Sequence, residues 1–219
     1  MTPIQTVSEI RAIIQRMIET GLSNQQNYPV LKNTGPRTGE IWIAGTPNLS
    51  VSMKDVPYSE IYALLDEGGA YHIRMIDGGL LQMCYRFHRN RLIGHRLCLF
   101  PAPHLENYDA DPDAYENDEL YADIVGRGIV HVPIRFEFDA DANKHIEVAH
   151  PKSHLTLGQY QNCRIPVDAP ISPARFIKFI LRNFYHMAFQ SANLDSIDST
   201  FKFEETLTAK ERAITHLAC

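Results

Sequence analysis

Apolar residues recur every three to four positions near the amino terminus, at Ile10, Ile13, Ile14, Met17 and Ile18. That spacing predicts an amphipathic helix ending near Gly21, opened by a Thr6–Glu9 capping box. Ser23 to Glu40 is polar and rich in turn formers, which predicts a loop, and Ile41-Trp42-Ile43 is a short strand candidate. Asp55-Val-Pro57 opens a second helix through Leu65, stopped by Gly68-Gly69.

The period then changes to two. Tyr71–Ile76, Leu80–His88 and Leu92–Phe100 are runs of strand length separated by Asp77-Gly78-Gly79 and Arg89-Asn90-Arg91. Such links predict an antiparallel meander. In its second strand Leu81, Met83, Tyr85 and Phe87 alternate with Gln82, Cys84, Arg86 and His88, so one face is core and the other polar. Ile129–Phe138 continues the pattern, with Arg135, Glu137 and Asp139 on the polar side, and His145–Ala149 is the expected partner strand. Ser172-Pro173 starts a long helix reaching about Gln190, apolar nearly all round and therefore expected to be buried on two sides. Thr208 and Glu211 form a second capping box at the start of a last helix.

Together these elements predict an α+β fold. A curved antiparallel sheet with a strand meander packs on the long buried helix, flanked by amino- and carboxy-terminal helices. One domain spans 1–219, with a helical lead-in over 1–39, an acidic loop insertion over 102–126 and a helical tail over 191–219. The insertion holds eight acids and no Lys or Arg, whereas the chain as a whole carries a net charge of −5. It reads as a solvated loop or as a flap over a basic surface. The four cysteines show no paired spacing, and neither a signal peptide nor an apolar run of membrane length is evident. The expectation is a soluble, reduced, cytoplasmic protein without a membrane partner.

Candidate chemistry concentrates in His150-Pro-Lys-Ser-His154 and in Cys163-Arg164. The two histidines can be structural, can act as a general acid/base pair, or can bind metal. Pro151 and the lack of an HExxH glutamate weaken the metal reading. Arg135, Glu137 and Asp139 form either a solvent-facing ion ladder or one wall of a polar pocket with those histidines. In the meander, five arginines lie between Arg74 and Arg96 against the single acid Asp77. Arg74, Arg86, His88, His95 and Arg96, interleaved with Tyr71, Tyr85 and Phe87, suit a nucleic-acid backbone and its bases. P-loop, GxSxG and GxGxxG motifs are absent from the sequence.

The blocks Arg135-Phe-Glu-Phe-Asp139, His150-Pro-Lys-Ser-His154-Leu-Thr-Leu-Gly158, Cys163-Arg164-Ile-Pro166 and Phe176–Tyr185 resemble those of a bacterial family, domain of unknown function 2290. The resemblance runs from about Ile41 to Tyr185. It implies a small bacterial protein carried near mobile elements and defence genes, hence an effector or accessory subunit of an anti-phage or toxin–antitoxin system. It brings no catalytic residues with it.

The residues point to a metal-independent, ribonuclease-like effector acting on RNA and needing no cofactor. His150 and His154 would be the acid/base pair, Arg135 or Arg164 the phosphate clamp, and Asp139 or Glu137 the group orienting an imidazole. Arg74, Arg86, His88, His95 and Arg96 would hold flanking nucleic acid. The alternative is a non-enzymatic interaction or sensor subunit docking on an enzyme partner encoded nearby, through the aromatic helix and the acidic loop. A metal-dependent nuclease, with an ion held by Glu137 or Asp139 and the histidines, is a third option.

Overall fold

The two-residue alternation becomes the frame of the computed structural model, which describes residues 1–44, 56–103, 132–160, 162–191 and 201–218. Among the described residues nine strands form one open sheet: β1 (Ser23–Gln26), β2 (Pro29–Gly35), β3 (Thr38–Ile43), β4 (Ile73–Met75), β5 (Leu80–His88), β6 (Arg91–Phe100), β7 (Ile134–Asp139), β8 (Ser153–Leu157) and β9 (Ile165–Pro166). Neighbouring strands are antiparallel, in the order β1-β4-β5-β6-β7-β8-β9. Arg89 and Asn90 turn the β5–β6 hairpin with φ of 48° and 63°, the left-handed pair a tight two-residue hairpin requires.

β5 is paired with β6 along its length, so its other edge is shared. β4 takes Leu80 and Leu81, and β3, paired in turn to β2, takes Tyr85 to His88. The Met83 amide falls in the gap between them. The imidazole of His72 fills that gap, with Nδ1 accepting from the Met83 N–H at 3.0 Å.

Helices cover the two faces unequally. α1 (Pro3–Glu19) and α3 (Pro173–Phe184) lie on the face carrying Leu81, Met83, Tyr85, Phe87, Leu97, Leu99, Ile134, Phe136 and Phe138, and build the main core. α2 (Tyr58–Glu67) covers only one end of the opposite face, where Ile61, Tyr62 and Leu65 pack with Leu80, Cys98 and Phe100. The rest of that face is left for polar side chains. α4 (His186–Ser191) follows α3 through Tyr185, and α5 (Ala209–Arg212) is the last helix among the described residues.

Several sequence expectations are corrected. Ser23 to Glu40 is not a loop but β1, β2 and the start of β3. Outer strands need few apolar residues, and β2 is exposed along most of its length. The first helix is capped by Thr2 with Gln5, not by Thr6, whose hydroxyl donates to the Thr2 carbonyl. β7 pairs with β8, whereas His145–Ala149 is a tight turn closed by an Ile146–His150 bridge. α3 is buried on one side only, since Arg182 and Asn183 face out. Most of the acidic 102–126 stretch, and Ile129 to His131 of the strand expected there, lie outside the described residues.

His72 and His95 are both buried, and burial lowers each to about 3. Each also accepts a main-chain N–H, His72 from Met83 and His95 Nε2 from Ile171 at 3.1 Å. Protonation at those nitrogens removes the acceptor. The folded values lie below the ordinary 6.5, so the stability they contribute is complete above 6.5 and is lost as pH falls from there toward 3. Between pH 8 and pH 5 the two together are expected to lower unfolding free energy by about 4 kcal/mol. Denaturant midpoints across that range measure it, and a flat profile would sink the assignment.

Candidate active-site cleft

The uncovered part of the sheet is a floor set by register. Cys84 of β5 stands opposite Arg96 of β6, Arg96 opposite Glu137 of β7, and Glu137 opposite His154 of β8. Alternation places all four on the same side, away from the main core. A parallel row holds Glu40, Arg86, Gly94 and Asp139. A side chain at Gly94 would collide with the Arg86 guanidinium, 2.5 Å from where its Cβ would sit. The bare glycine therefore lets Arg86 cross β6 and reach Asp139 at 3.1 Å. Lys144 meets the same carboxylate at 2.7 Å.

Glu137 is the centre of charge. Arg96 Nε lies 3.4 Å from its Oε1, while Arg135 Nη1 and His154 Nε2 lie 3.8 Å and 3.7 Å from its Oε2. Burial alone would raise this carboxyl. His154, Arg135 and Arg96 outweigh it and hold the group down at about 2. Glu137 is therefore an anion throughout the neutral range, and it is the carboxylate that orients an imidazole. Asp139, occupied by Arg86 and Lys144, does not.

His154 is buried and has both nitrogens engaged, Nδ1 donating to the Pro151 carbonyl at 2.9 Å and Nε2 facing Glu137. His150 is only partly covered. Its ring meets His154 edge to face, with centroids 5.1 Å apart. Burial, then the charges of Arg164 and His154, lower its pKa, against a hydrogen bond to the Lys144 main chain and the charge of Glu137 that raise it.

These groups line a cleft of about 710 Å3. Its walls carry six Lys or Arg (Arg86, Arg96, Arg135, Lys144, Lys152, Arg164) against three carboxylates, Glu40, Glu137 and Asp139. Trp42 and Tyr160 line it too. Among the described residues the buried Trp42 Nε1 and Arg135 Nε have no hydrogen-bond partner. Cys84 also lines the cleft, but burial, with Cys98 beside it, raises its thiol well above the usual range. Among the described residues no three His, Cys, Asp or Glu side chains are disposed to hold a metal ion.

The family model for the uncharacterised conserved protein DUF2290 matches residues 22–219. The chain belongs to the DUF2290 family. No curated protein and no solved structure matches it significantly. Among its described residues no helix is long and apolar enough to cross a membrane.

The structure brings together His150, His154, Arg135, Glu137, Asp139, Arg164, Arg86 and Arg96. It leaves out two of the nucleic-acid candidates, Arg74 and His88. Arg74 is bound to Asp66 of α2 at 3.0 Å, at the covered end of the sheet. His88 is exposed at the far end of β5, 3.3 Å from Thr38 Oγ1. His95 borders the cleft, but alternation turns its ring away from the side of Arg96, to the core between Tyr85 and Phe138. Sequence reasoning missed Lys144, His145, Lys152, Tyr160, Glu40 and Trp42. For the last two a signal existed, because they alternate with the buried Gly39, Ile41 and Ile43.

Proposed function

We propose that this DUF2290 protein is a small bacterial effector of an anti-phage or toxin–antitoxin system. It binds RNA in the cleft and cleaves it by metal-independent acid–base chemistry. The observation that carries the reading is the charge balance: a chain of net charge −5 gathers twice as many Lys and Arg as carboxylates around an accessible imidazole. Such a surface recognises a polyanion.

RNA supplies its own nucleophile in the 2′-hydroxyl. The protein needs to remove that proton, steady the charged phosphorane and protonate the leaving oxygen. His150, only partly covered and lining the cleft, takes the 2′-hydroxyl proton. Arg135 and Arg164 serve as phosphate clamps, with Lys152 beside them, while Trp42 and Tyr160 offer faces on which bases stack. Arg86 and Arg96 hold flanking phosphates.

Pure protein is incubated with labelled single-stranded RNA, with and without chelator, and with DNA of the same sequence. The expected result is RNA cut equally in both tubes to 2′,3′-cyclic phosphate ends, and DNA left intact for want of a 2′-hydroxyl. Intact RNA in both tubes would overturn the proposal. The alternative reading as a non-enzymatic docking subunit finds less support. Phe176, Ile177, Ile180 and Leu181 of its supposed contact helix are buried in the core.

A further inference from the structure

A second imidazole–carboxylate pair reaches the cleft through His145, and the reading above leaves it idle. His145 Nε2 lies 3.1 Å from Glu211 Oε1. Glu211 comes from the other end of the chain and is 0% exposed. Its carboxylate also accepts from the Val148 N–H at 3.2 Å and the Thr208 N–H at 2.9 Å. Its position is fixed from both sides, because the tail is tied to the sheet through a Thr206–Ser153 hydrogen bond and a Leu217–Val167 bridge. A carboxylate only accepts, so Nε2 of His145 carries the hydrogen of that bond and Nδ1 is the nitrogen left for exchange.

His145 also lies just before the turn that carries His150. The turn between them is pinned by two main-chain hydrogen bonds between Ile146 and His150, 3.1 Å and 2.6 Å long. Both histidines line the cleft. His154, by contrast, is buried, with Nδ1 on the Pro151 carbonyl and Nε2 turned toward Glu137, 3.7 Å away.

The geometry points to His145, held by Glu211, as the proton donor to the leaving group, with His150 as the base and His154 as a positioning residue. This rests on the ribonuclease reading and changes its assignment of roles. His150 takes the 2′-hydroxyl proton as the O2′–P bond forms. The P–O5′ bond breaks, and imidazolium His145 gives its proton to O5′. A 2′,3′-cyclic phosphate and a 5′-hydroxyl result, and proton exchange with water resets both rings. A carboxyl-terminal residue would thereby complete a site otherwise built on the sheet.

The test compares a short single-stranded RNA with one whose scissile 5′-oxygen is replaced by sulfur, a leaving group that departs without a proton. His145→Ala is expected to slow cleavage of the oxygen substrate by about 10²-fold or more, and the sulfur substrate is expected to bring it back to near wild-type rate. His150→Ala should stay slow on both. Rates for His145→Ala equal to wild type, or equally slow on both substrates, would overturn the assignment while leaving the ribonuclease reading intact. Wild-type protein inert on both substrates would overturn that reading and this assignment with it. Should His145→Ala fail to fold, His145→Gln, which retains a donor for Glu211, carries the same comparison.

Discussion

His150→Ala is expected to lower the rate of RNA cleavage by about 10³-fold, within the range a positioned general base supplies. Thermal stability should stay close to wild type, because the ring is only partly covered and closes no core. The pH profile reports on the same imidazole. Burial, Arg164 and His154 lower the His150 pKa, so the neutral, proton-accepting form persists below the ordinary imidazole value of 6.5. The acid limb of the wild-type rate profile should therefore lie below pH 6.5. Arg164→Gln removes one of those opposing charges and should move the limb upward toward it. A variant lacking His150 that cuts RNA at wild-type rate would rule out the imidazole as base.

Glu137→Ala is expected to cost stability as well as activity. The carboxylate is 24% exposed and holds Arg96, Arg135 and His154 together. Its fall from 4.5 to about 2 corresponds to roughly 3 kcal/mol of stabilisation at neutral pH. Because the folded value is depressed, that contribution is complete above 4.5 and disappears as pH falls through 2. Its removal also leaves two guanidinium groups facing each other with no anion between them. A loss of about 10 °C in thermal midpoint at pH 7 follows for a domain of this size, and the gap from wild type should close in strong acid. A change of less than about 2 °C would show the cluster to be solvent-screened and of little weight.

Much of this site is visible in the sequence because a strand writes its two faces in alternate letters. Arg135, Glu137 and Asp139 between Ile134, Phe136 and Phe138 give both the strand and the side that bears chemistry. The same rule, applied strictly, separates His95 from Arg96. Where apolar residues are few the signal fades, which is why the exposed β2 reads as loop. The pairing of His145 with Glu211 is of a different kind. Thr208 and Glu211 announce a helix cap, and they do form one. Nothing local in the sequence says that the same carboxylate also reaches a histidine 66 residues away.

The forked edge of β5 has a mechanical consequence. Glu40 and Trp42 reach the cleft on a hairpin whose ladder to β5 runs, among the described residues, from Thr38 to Ile41, whereas β6 and β7 are zipped along both flanks. The floor is accordingly stiff and the β2–β3 side compliant. Adjusting the mouth to a bulkier guest then means prying loose a short seam, with the charged bed beneath undisturbed.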